Sequence, residues 1–380
     1  MCIFWRFLTV GDRLQRMSAS SRHSKLCVLI AGGGTGGHLF PGIALAESFV
    51  EIGAEVHFAG SARGIEVQAV PRAGYPLHLI PVRGLKGGGW VGRIRSLMLL
   101  PFAFMASWRL LRRIKPQLVV GVGGYASGPV VLTAALLGLP TAIMEQNTVA
   151  GITNRKLARY VKRVYVTFPE SALYFPAEKV REFGNPVRAF IVNNLSQVVH
   201  TTNAGKLRIL VFGGSQGAHA INELFVAAAP QLAQLGVTLR HQTGATDRQR
   251  VEQAYQQMGV NAQVEAFIDD MAQAYAQADV VVCRAGATTC SELAIAGKPA
   301  IFIPFPYAAD NHQEHNARSL VDRGAALLLR ESEATPEKLI QLLQELTFDR
   351  LLAMQTAMRQ AARPESAHQI RNDLLALLNK

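Results

Sequence analysis

The chain has 380 residues, of which 49% are hydrophobic and 17% are charged, so it can bury a large core and is not a disordered polypeptide. Its four cysteines (Cys2, Cys27, Cys283 and Cys290) show no paired or CxxC spacing, which argues against a disulfide framework and against a cysteine metal site. The net charge of +12 lies in the first half, because residues 1–186 carry 22 Lys and Arg against 9 Asp and Glu, and this favours an anionic partner there.

Residues 1–24 precede the first predicted strand, and we expect them to form a disordered extension. Their apolar start at residues 1–5 is far too short to span a bilayer. The segment could be a poor signal peptide, although nothing else in the sequence signals export, and Met17 is an alternative first residue.

A strand pattern at residues 26–30 leads into the glycine-rich residues 31–38 and then into a helical pattern. Such a turn lets backbone N–H groups approach a phosphate at the positive end of the helix. A second turn of this kind, at residues 213–219, follows the strand pattern at residues 207–212. Corresponding features lie roughly 160–180 residues apart, which predicts two copies of one βα design.

The rest of the first half holds predicted strands at residues 55–59, 77–82 and 141–144 and a strand pattern that starts at residue 118. It also holds a helical segment at residues 94–114 that we expect to break near Pro101. Its apolar residues are flanked by arginines, so it is either a core helix with solvated arginines or a helix lying on a membrane surface. The absence of any acid between Val67 and Met144 favours the membrane surface. Pro101 and Arg109 interrupt the segment and exclude a transmembrane helix.

Residues 183–188 are predicted to join two domains, after which strands and helices alternate again. The predicted strands lie at residues 207–212, 237–242, 263–267, 279–283 and 299–304. The predicted helices lie at residues 218–234, 247–258, 270–277 and 288–296, near 313–323 and 335–345, and in a last stretch at 348–378. The alternation predicts an α/β fold with a parallel sheet in each half. Ligands bind such sheets at the carboxyl ends of their strands, which here would face each other across a cleft.

Residues 284–292 are the most specific stretch of the second half, because they combine a strand end, a loop of small residues and a helix start. Backbone N–H groups at residues 287–289 can bind a pyrophosphate without a side-chain charge. Glu292 stands one helical turn further and can accept two hydroxyl protons from a ribose. A first-turn acid that is favoured only by the helix dipole explains Glu292 equally well.

His38 is the titratable group of the first glycine-rich turn. A helix N-terminus favours the neutral imidazole, which suits a proton acceptor, although the residue could simply cap the turn. Asp269 and Asp270 precede a predicted helix and are interpreted as caps. No metal site is therefore expected, and helix N-termini with Arg188 would hold the charge of a leaving group.

Two other classes of protein remain open from the residues alone. Residues 32–37 can be aligned with GxGxxG, with Glu55 as the acid that follows, which allows a nicotinamide-dependent oxidoreductase. A non-catalytic scaffold at the membrane is the other alternative. No Walker A motif is present. Ser215 follows two glycines rather than standing in GxSxG, so a hydrolase is unsupported.

Seven stretches, in order along the chain, resemble the MurG family of glycosyltransferases; they lie at residues 33–38, 123–129, 145–147, 184–188, 213–218, 267–271 and 283–287. The resemblance implies a GT-B fold, in which two Rossmann-like domains face an interdomain cleft. It implies an acceptor and membrane-binding domain at residues 25–186 and a donor domain at residues 187–347. Residues 348–380 would then be a C-terminal helix that returns to the first domain.

The resemblance also implies a reaction. UDP-N-acetylglucosamine (UDP-GlcNAc) is the implied donor, and the implied acceptor is undecaprenyl-pyrophosphoryl-MurNAc-pentapeptide, called lipid I. The 4-hydroxyl of MurNAc attacks C1 of the donor sugar with inversion, a β-1,4 link forms and UDP leaves. No cofactor and no nucleic acid are implied. The implied location is the anionic cytoplasmic face of the bacterial inner membrane, where the protein would be peripheral.

Site residues carry over by position. The donor sugar and the acceptor side are implied to contact Thr35, Gly36, Gly37 and Asn147, and the diphosphate is implied to contact Arg188 and Ser215. Ile268 would meet uracil through its backbone, Glu292 the ribose, and Gln313 the sugar hydroxyls. The implied diphosphate loop consists of Ala287, Thr288, Thr289, Cys290 and Ser291. His38, as a candidate base, and Tyr125 would stand near the acceptor.

Overall fold

The computed structural model describes residues 25–82, 89–196, 206–214 and 217–378 of the chain. The predicted extension at residues 1–24, the glycine-rich loop at residues 83–88 and the candidate ligand residue Ser215 lie outside the described residues. Within those ranges the chain forms two parallel β-sheets, each covered by helices.

The first sheet has seven strands in the order β3-β2-β1-β4-β5-β6-β7, and all neighbouring strands are parallel. They are β1 (Cys27–Gly32), β2 (Glu55–Gly60), β3 (Leu77–Leu79), β4 (Leu118–Gly123), β5 (Thr141–Glu145), β6 (Arg163–Val166) and β7 (Val180–Arg181). The order reverses between β1 and β4, which places a ligand crevice beyond the carboxyl ends of these two strands.

The second sheet has six parallel strands in the order β10-β9-β8-β11-β12-β13. They are β8 (Arg208–Phe212), β9 (Thr238–Gln242), β10 (Asn261–Glu265), β11 (Val280–Cys283), β12 (Ala300–Phe302) and β13 (Ala326–Leu328). Its order reverses between β8 and β11, as the first sheet reverses between β1 and β4. The α/β prediction, with two copies of one design, is confirmed.

Helices cover both faces of each sheet. Those that belong to the first half are α1 (Gly36–Val50), α2 (Glu66–Arg72), α3 (Gly89–Ile114), α4 (Ser127–Leu136) and α5 (Ile152–Leu157). The second half has α6 (Ala189–Ser196), α7 (His219–Ala227), α8 (Ala229–Leu235), α9 (Arg248–Met258), α10 (Met271–Gln277), α11 (Ala287–Ala296), α12 (His312–Val321), α13 (Pro336–Gln344), α14 (Phe348–Gln360) and α15 (Ser366–Ala376). Short 3-10 helices lie at Pro169–Tyr174, Ala177–Lys179, Ala309–Asn311 and Glu331–Glu333.

Side-chain alternation along the strands builds a core on each side of each sheet. In the first sheet, Leu29 and Val119 pack into one layer, while their chain neighbours Val28 and Val120 pack into the other. All six residues of β1 are buried. Strands buried on both faces are typical of parallel sheets with helices on both sides, and they hold the turns that follow them rigidly at the edge of the cleft.

Two predicted elements of the first half differ from the structure. β3 ends at Leu79 rather than at residue 82, because its partner β2 ends at Gly60, whose carbonyl accepts the last bond of the pair from the N–H of Ile80 over 2.8 Å. The expected break near Pro101 was wrong, since α3 continues through it over 26 residues. Pro101 removes one backbone hydrogen bond, and the remaining turns keep the helix intact.

The last predicted helical stretch, at residues 348–378, is two helices separated at Pro364. They pack on different sheets: Met358 of α14 is buried in the core of the second sheet, whereas Ile370 and Leu374 of α15 are buried in that of the first. Arg371 of α15 also forms an ion pair with Glu51, 3.2 Å away. Only α15 therefore returns to the first half of the molecule.

The chain crosses between the two sheets twice. The first crossing is at residues 183–188, because β7 belongs to the first sheet and α6 buries Ile191 and Leu195 in the core of the second. The second crossing is the link between α14 and α15. The two crossings touch, since a Cβ added at Gly184 would lie 2.7 Å from the Cβ of Arg363.

Candidate active site

A cavity of about 380 Å³ lies between the two sheets. Its walls include the start of α1 from the first half, and the turn after β8 and the start of α11 from the second. Predicted ligand residues that line it are Gly36, Gly37, Arg188, Ile268, Thr288, Thr289 and Glu292. The structure thus brings together residues that are up to about 250 positions apart in the chain, at the edges where parallel sheets bind ligands.

Glu292 is the buried acid of this cavity, with 7% of its surface exposed. The Tyr275 hydroxyl donates a hydrogen bond to Glu292 Oε2 over 3.0 Å, and Arg188 Nη2 lies 3.6 Å from Oε1. Burial raises the pKa of Glu292, and the charge of Arg188 and the bond from Tyr275 oppose that rise. An acid placed only by the helix dipole needs neither burial nor these partners, so the dipole alone does not explain Glu292.

Arg188 is the last residue of the first crossing, at residues 183–188, and it contacts both halves of the cavity. Its guanidinium lies over the ring of Phe40 in α1, 4.9 Å from the ring centre, and reaches Glu292 on the other side. Its Nε is buried and has no hydrogen-bond partner among the described residues. A buried guanidinium donor without a partner, next to an open cavity, is suited to binding an anion.

The start of α11 presents only part of the predicted 287–291 loop to the cavity. Thr288 and Thr289 line the cavity, and Thr288 Oγ1 donates to Gly37 O across the cleft over 3.4 Å. Cys290 is buried in the core, and its N–H is bonded to Gly286 O. Ser291 Oγ donates to Ala287 O, so neither Cys290 nor Ser291 turns its side chain to this cavity.

Cys290 and Ser291 instead line a smaller cavity of about 80 Å³ at the first crossing, beside Asn185. Ala287 is the first residue of α11 and is 3% exposed, which leaves its backbone as its means of ligand contact. The first N–H groups of a helix have no partner within it. The backbone role of residues 287–289 stays a prediction.

His38 lies in the first turn of α1, where its Nδ1 is 2.9 Å from Gln146 Oε1. Gln146 is 1% exposed and cannot turn freely. This hydrogen bond forms in the tautomer that carries the proton on Nδ1, and that tautomer leaves the lone pair of Nε2 available for proton acceptance. Gln146 stands within the stretch at residues 145–147 but received no role from the sequence.

The loop after β5 is held by buried polar groups. Glu145 accepts hydrogen bonds from the N–H groups of Asn147 (3.1 Å) and Gly151 (3.0 Å). Asn316 of α12 is fully buried; it donates to Asn147 Oδ1 over 3.2 Å and accepts from Thr148 N over 3.0 Å. Asn316 therefore ties the loop of the first half to the second half, and no local pattern in the sequence singles it out.

The other predicted residues do not line this cavity; they are Thr35, His38, Tyr125, Asn147 and Gln313. Thr35 is the N-cap residue of α1, and Tyr125 is 46% exposed just after β4. Gln313 Oε1 accepts the N–H of Phe305 over 3.0 Å, which fixes the loop before α12. Asp270 caps α10 by accepting from Gln273 N over 2.9 Å, as predicted. Among the described residues, no group of three or more His, Cys, Asp and Glu side chains could hold a metal ion.

Two facing Rossmann-like sheets with a ligand cavity between them define the GT-B class of glycosyltransferases. Family models agree with this assignment: the glycosyltransferase family 28 N-terminal domain matches residues 28–166, and the family 28 C-terminal domain matches residues 208–371.

Curated relatives are more specific. A protein of Anaeromyxobacter dehalogenans (strain 2CP-1) is 50% identical over 359 residues, which cover 93% of each chain, and one of Myxococcus xanthus is 51% identical over 351 residues, covering 90% of this chain and 91% of the relative. Both are named UDP-N-acetylglucosamine--N-acetylmuramyl-(pentapeptide) pyrophosphoryl-undecaprenol N-acetylglucosamine transferase. The crystal structure of Acinetobacter baumannii MurG is 34% identical with a TM-score of 0.78, covering 92% of this chain and 99% of that one. The chain belongs to the MurG family.

Proposed function

We propose that the protein transfers GlcNAc from UDP-GlcNAc to the 4-hydroxyl of MurNAc in undecaprenyl-pyrophosphoryl-MurNAc-pentapeptide. The observation that carries the proposal is the 380 Å³ cavity, in which Glu292, Arg188 and the starts of α1 and α11 meet. Its anion-binding groups suit a nucleoside diphosphate, and relatives of about 50% identity are named for this transfer. The oxidoreductase and scaffold alternatives have no comparable support.

The donor would occupy the wall formed by the second half. Glu292 accepts the two ribose hydroxyls, and the backbone of Ile268 meets the uracil ring. The N–H groups of residues 287–289 and the guanidinium of Arg188 hold the diphosphate. Arg188 Nη2 stands 3.6 Å from Glu292 Oε1, so the same arginine would lie near both the ribose and the diphosphate of the bound donor.

In the transfer step, the acceptor 4-hydroxyl attacks C1 of GlcNAc from the face opposite the diphosphate. His38 Nε2 takes the hydroxyl proton, while the bond from Nδ1 to Gln146 fixes the imidazole. The C1–O bond to the diphosphate breaks with its electron pair, and UDP leaves with the configuration at C1 inverted. Arg188 and the start of α11 stabilise the charge that develops on UDP. Tyr125 and Asn147 would lie on the acceptor side.

The full chain should release UDP from UDP-GlcNAc when a lipid I analogue is added, with one GlcNAc gained per acceptor. We expect no release with the analogue omitted. A coupled UDP assay and the mass of the product measure both. Absence of transfer, together with a thermal shift by NAD(H) but none by UDP, would overturn the proposal in favour of the oxidoreductase alternative.

We also propose a division of labour along the chain. Residues 25–186 would hold the acceptor and the membrane, residues 187–347 the donor, and residues 348–380 would complete the second domain and return to the first. The extension at residues 1–24 takes no part in this scheme. The burial of α15 against the first sheet supports the return.

We propose that the protein lies on the cytoplasmic face of the inner membrane through one face of α3. Among the described residues, no helix has the length and apolar character needed to cross a bilayer. The exposed face of α3 carries apolar side chains, namely Met98, Phe102, Met105 and Trp108, whose exposed fractions run from 40% to 68%. Arg112 lies over the Trp108 ring at 5.3 Å. Such a face suits the interface of an anionic membrane.

A double variant, Met98→Ser with Phe102→Ser, should bind vesicles that contain anionic lipid about tenfold or more weakly than the wild type, because it removes two exposed apolar side chains. Wild-type binding should also fall as salt is raised. Flotation or sedimentation of vesicles measures both effects. Phe348→Ser is the matched control, since Phe348 is 51% exposed on α14. Equal binding of the wild type to neutral vesicles would refute the electrostatic part.

A further inference from the structure

Glu66 is a buried carboxylate packed against the first glycine-rich turn. It begins α2, and only 1% of its surface is exposed. Its Oε2 accepts the N–H of Gly34 over 2.8 Å, and its Oε1 accepts the N–H and the hydroxyl of Ser61 over 2.9 and 2.8 Å. No Lys or Arg of the described residues forms an ion pair with it. The carboxylate is thus stabilised by neutral donors from two separate turns.

Three glycines make room for this carboxylate. A Cβ at Gly60 would lie 2.7 Å from Glu66 Cγ, and one at Gly33 would lie 2.7 Å from the carboxyl carbon. A Cβ at Gly64 would overlap both carboxylate oxygens. Because these glycines come from the turn after β1, the end of β2 and the loop before α2, the site is built by distant parts of the first domain.

The N–H groups of this turn fall into two sets: the first ones are bonded within the protein, and the later ones have no partner within the helix. The N–H of Gly33 is bonded to Gly123 O over 3.2 Å, and that of Gly34 to Glu66. Helical bonding in α1 begins with the N–H of His38, which reaches Thr35 O over 3.3 Å. The N–H groups between these two positions, at residues 35–37, have no partner within the helix, and Gly36 and Gly37 line the cleft cavity.

The two glycine-rich turns therefore differ. Strand-to-helix turns of this kind commonly place their N–H groups around a phosphate. In the first turn one of these N–H groups, that of Gly34, is bonded to the Glu66 carboxylate instead. Among the described residues, no carboxylate is bonded to Gly213 or Gly214 of the second turn, and Gly214 lines the cleft cavity. The carboxylate that holds Gly34 thus has no counterpart at Gly213 or Gly214 among the described residues.

We propose that Glu66 is a positioning residue for the transfer. By holding Gly34, its carboxylate keeps the first turn of α1 in one place, and with it the donors at residues 35–37 and the imidazole of His38. Glu66 itself contacts neither substrate. The inference rests on the proposed function, since it assigns the acceptor step to the structure that Glu66 holds.

Glu66→Gln tests the proposal with a side chain of nearly the same shape. The amide keeps one oxygen and puts N–H donors where the second oxygen accepted, so at least one of the three bonds is lost. We expect kcat to fall about 100-fold, because a displacement of about 1 Å of a reacting group costs that much. The affinity for UDP, which lacks the sugar that the first turn would contact, should stay within about twofold. Hydrogen exchange of the peptide over residues 31–39 should become faster.

Gly64→Ala is an independent second variant, because it leaves every proposed catalytic and binding residue unchanged and pushes only on the Glu66 carboxylate. It should reproduce the fall in kcat and the faster exchange. Glu170→Gln is the matched control, since Glu170 is an exposed acid of the same domain and the charge change is identical. We expect wild-type kinetics from the control.

Wild-type kcat in both Glu66→Gln and Gly64→Ala would overturn the proposal. So would a loss of UDP affinity in parallel with the loss of kcat, because that result indicates general unfolding rather than positioning. If the wild type transfers no sugar to the lipid I analogue, the proposed function fails. In that case unchanged exchange in the two variants would still count against Glu66 as the group that holds the turn.

Discussion

Replacing His38 by alanine is expected to lower kcat for sugar transfer by about 10²- to 10⁴-fold, the range typical of a lost general base. The imidazole Nδ1 lies 2.9 Å from Gln146 Oε1, so Nε2 is the ring nitrogen that can take the proton from the 4-hydroxyl of MurNAc. UDP affinity should not change, because Glu292 and the start of α11 are untouched. Single-turnover transfer to a lipid I analogue, with UDP binding measured by calorimetry, checks both expectations.

Two further variants sharpen the experiment on His38. Gln146→Ala should lower kcat by a smaller factor, about tenfold, because the imidazole remains but loses the bond that fixes it. His368→Ala is the matched control, since His368 lies on α15 and its ring nitrogens bond Glu365 and Glu51 rather than any group of the cleft. A fall of less than about tenfold in His38→Ala would assign the proton to another group, with Tyr125 the next to test.

Glu292→Gln is expected to raise the KM for UDP-GlcNAc about 30- to 100-fold with a smaller change in kcat. Hydrogen bonds to a charged group contribute about 1.5–3 kcal/mol each, and about 1.4 kcal/mol is tenfold in affinity. The amide loses the charge and one of the two acceptor atoms that would bind the ribose hydroxyls. Glu252→Gln, on the surface helix α9, is the control. An unchanged donor KM would remove Glu292 from the ribose site.

Glu292 also gives the donor KM a pH dependence. The carboxylate must be ionised to accept both hydroxyls, and burial raises its pKa above that of an ordinary glutamate. Donor affinity should therefore be complete well above the raised pKa and be lost as the pH falls through it, earlier than for an exposed acid. Measurement of the donor KM from about pH 5 to about pH 8 tests whether affinity falls as the pH is lowered. In Glu292→Gln this dependence should disappear.

The fold could be predicted because its signals are local. The central strands β1, β8 and β11 are short, mostly apolar runs, and each is followed by glycines or small residues before a helix. The reversal between β1 and β4 and that between β8 and β11 follow from the repeat of one design. The site residues Gly36, Gly37, Thr288 and Glu292 follow from it too, because they stand at fixed places after such strands.

A contiguous motif does not show which of its residues face a ligand when the motif lies in a helix, because successive residues point in different directions. Residues 287–291 carried over as one loop, but the structure begins α11 at Ala287. At about 100° per residue, Thr288 and Glu292 share a face toward the cavity, whereas Ala287, Cys290 and Ala294 face the core. The predicted helix at residues 288–296 already included four of these five residues, so its phase could have separated the two sets.

Contacts between distant segments could not be predicted. Glu66 meets Gly34 across 32 positions, and Asn316 meets Thr148 across 168. Tyr275, which donates to Glu292, stands in a helix whose sequence is typical of any amphipathic surface helix. Each of these residues acquires its role only when separate elements pack together, and a single sequence carries no signal for such a pairing.

The contact between Gly184 and Arg363, where the two crossings touch, limits how the molecule can open. Two covalent connections that run side by side let the two halves of the molecule rotate about the line that passes through both connections. They oppose twisting and sliding of one half against the other. The hydrogen bond of Thr148 N to Asn316 Oδ1, which joins the same two halves across the cleft, would have to break in any such swing.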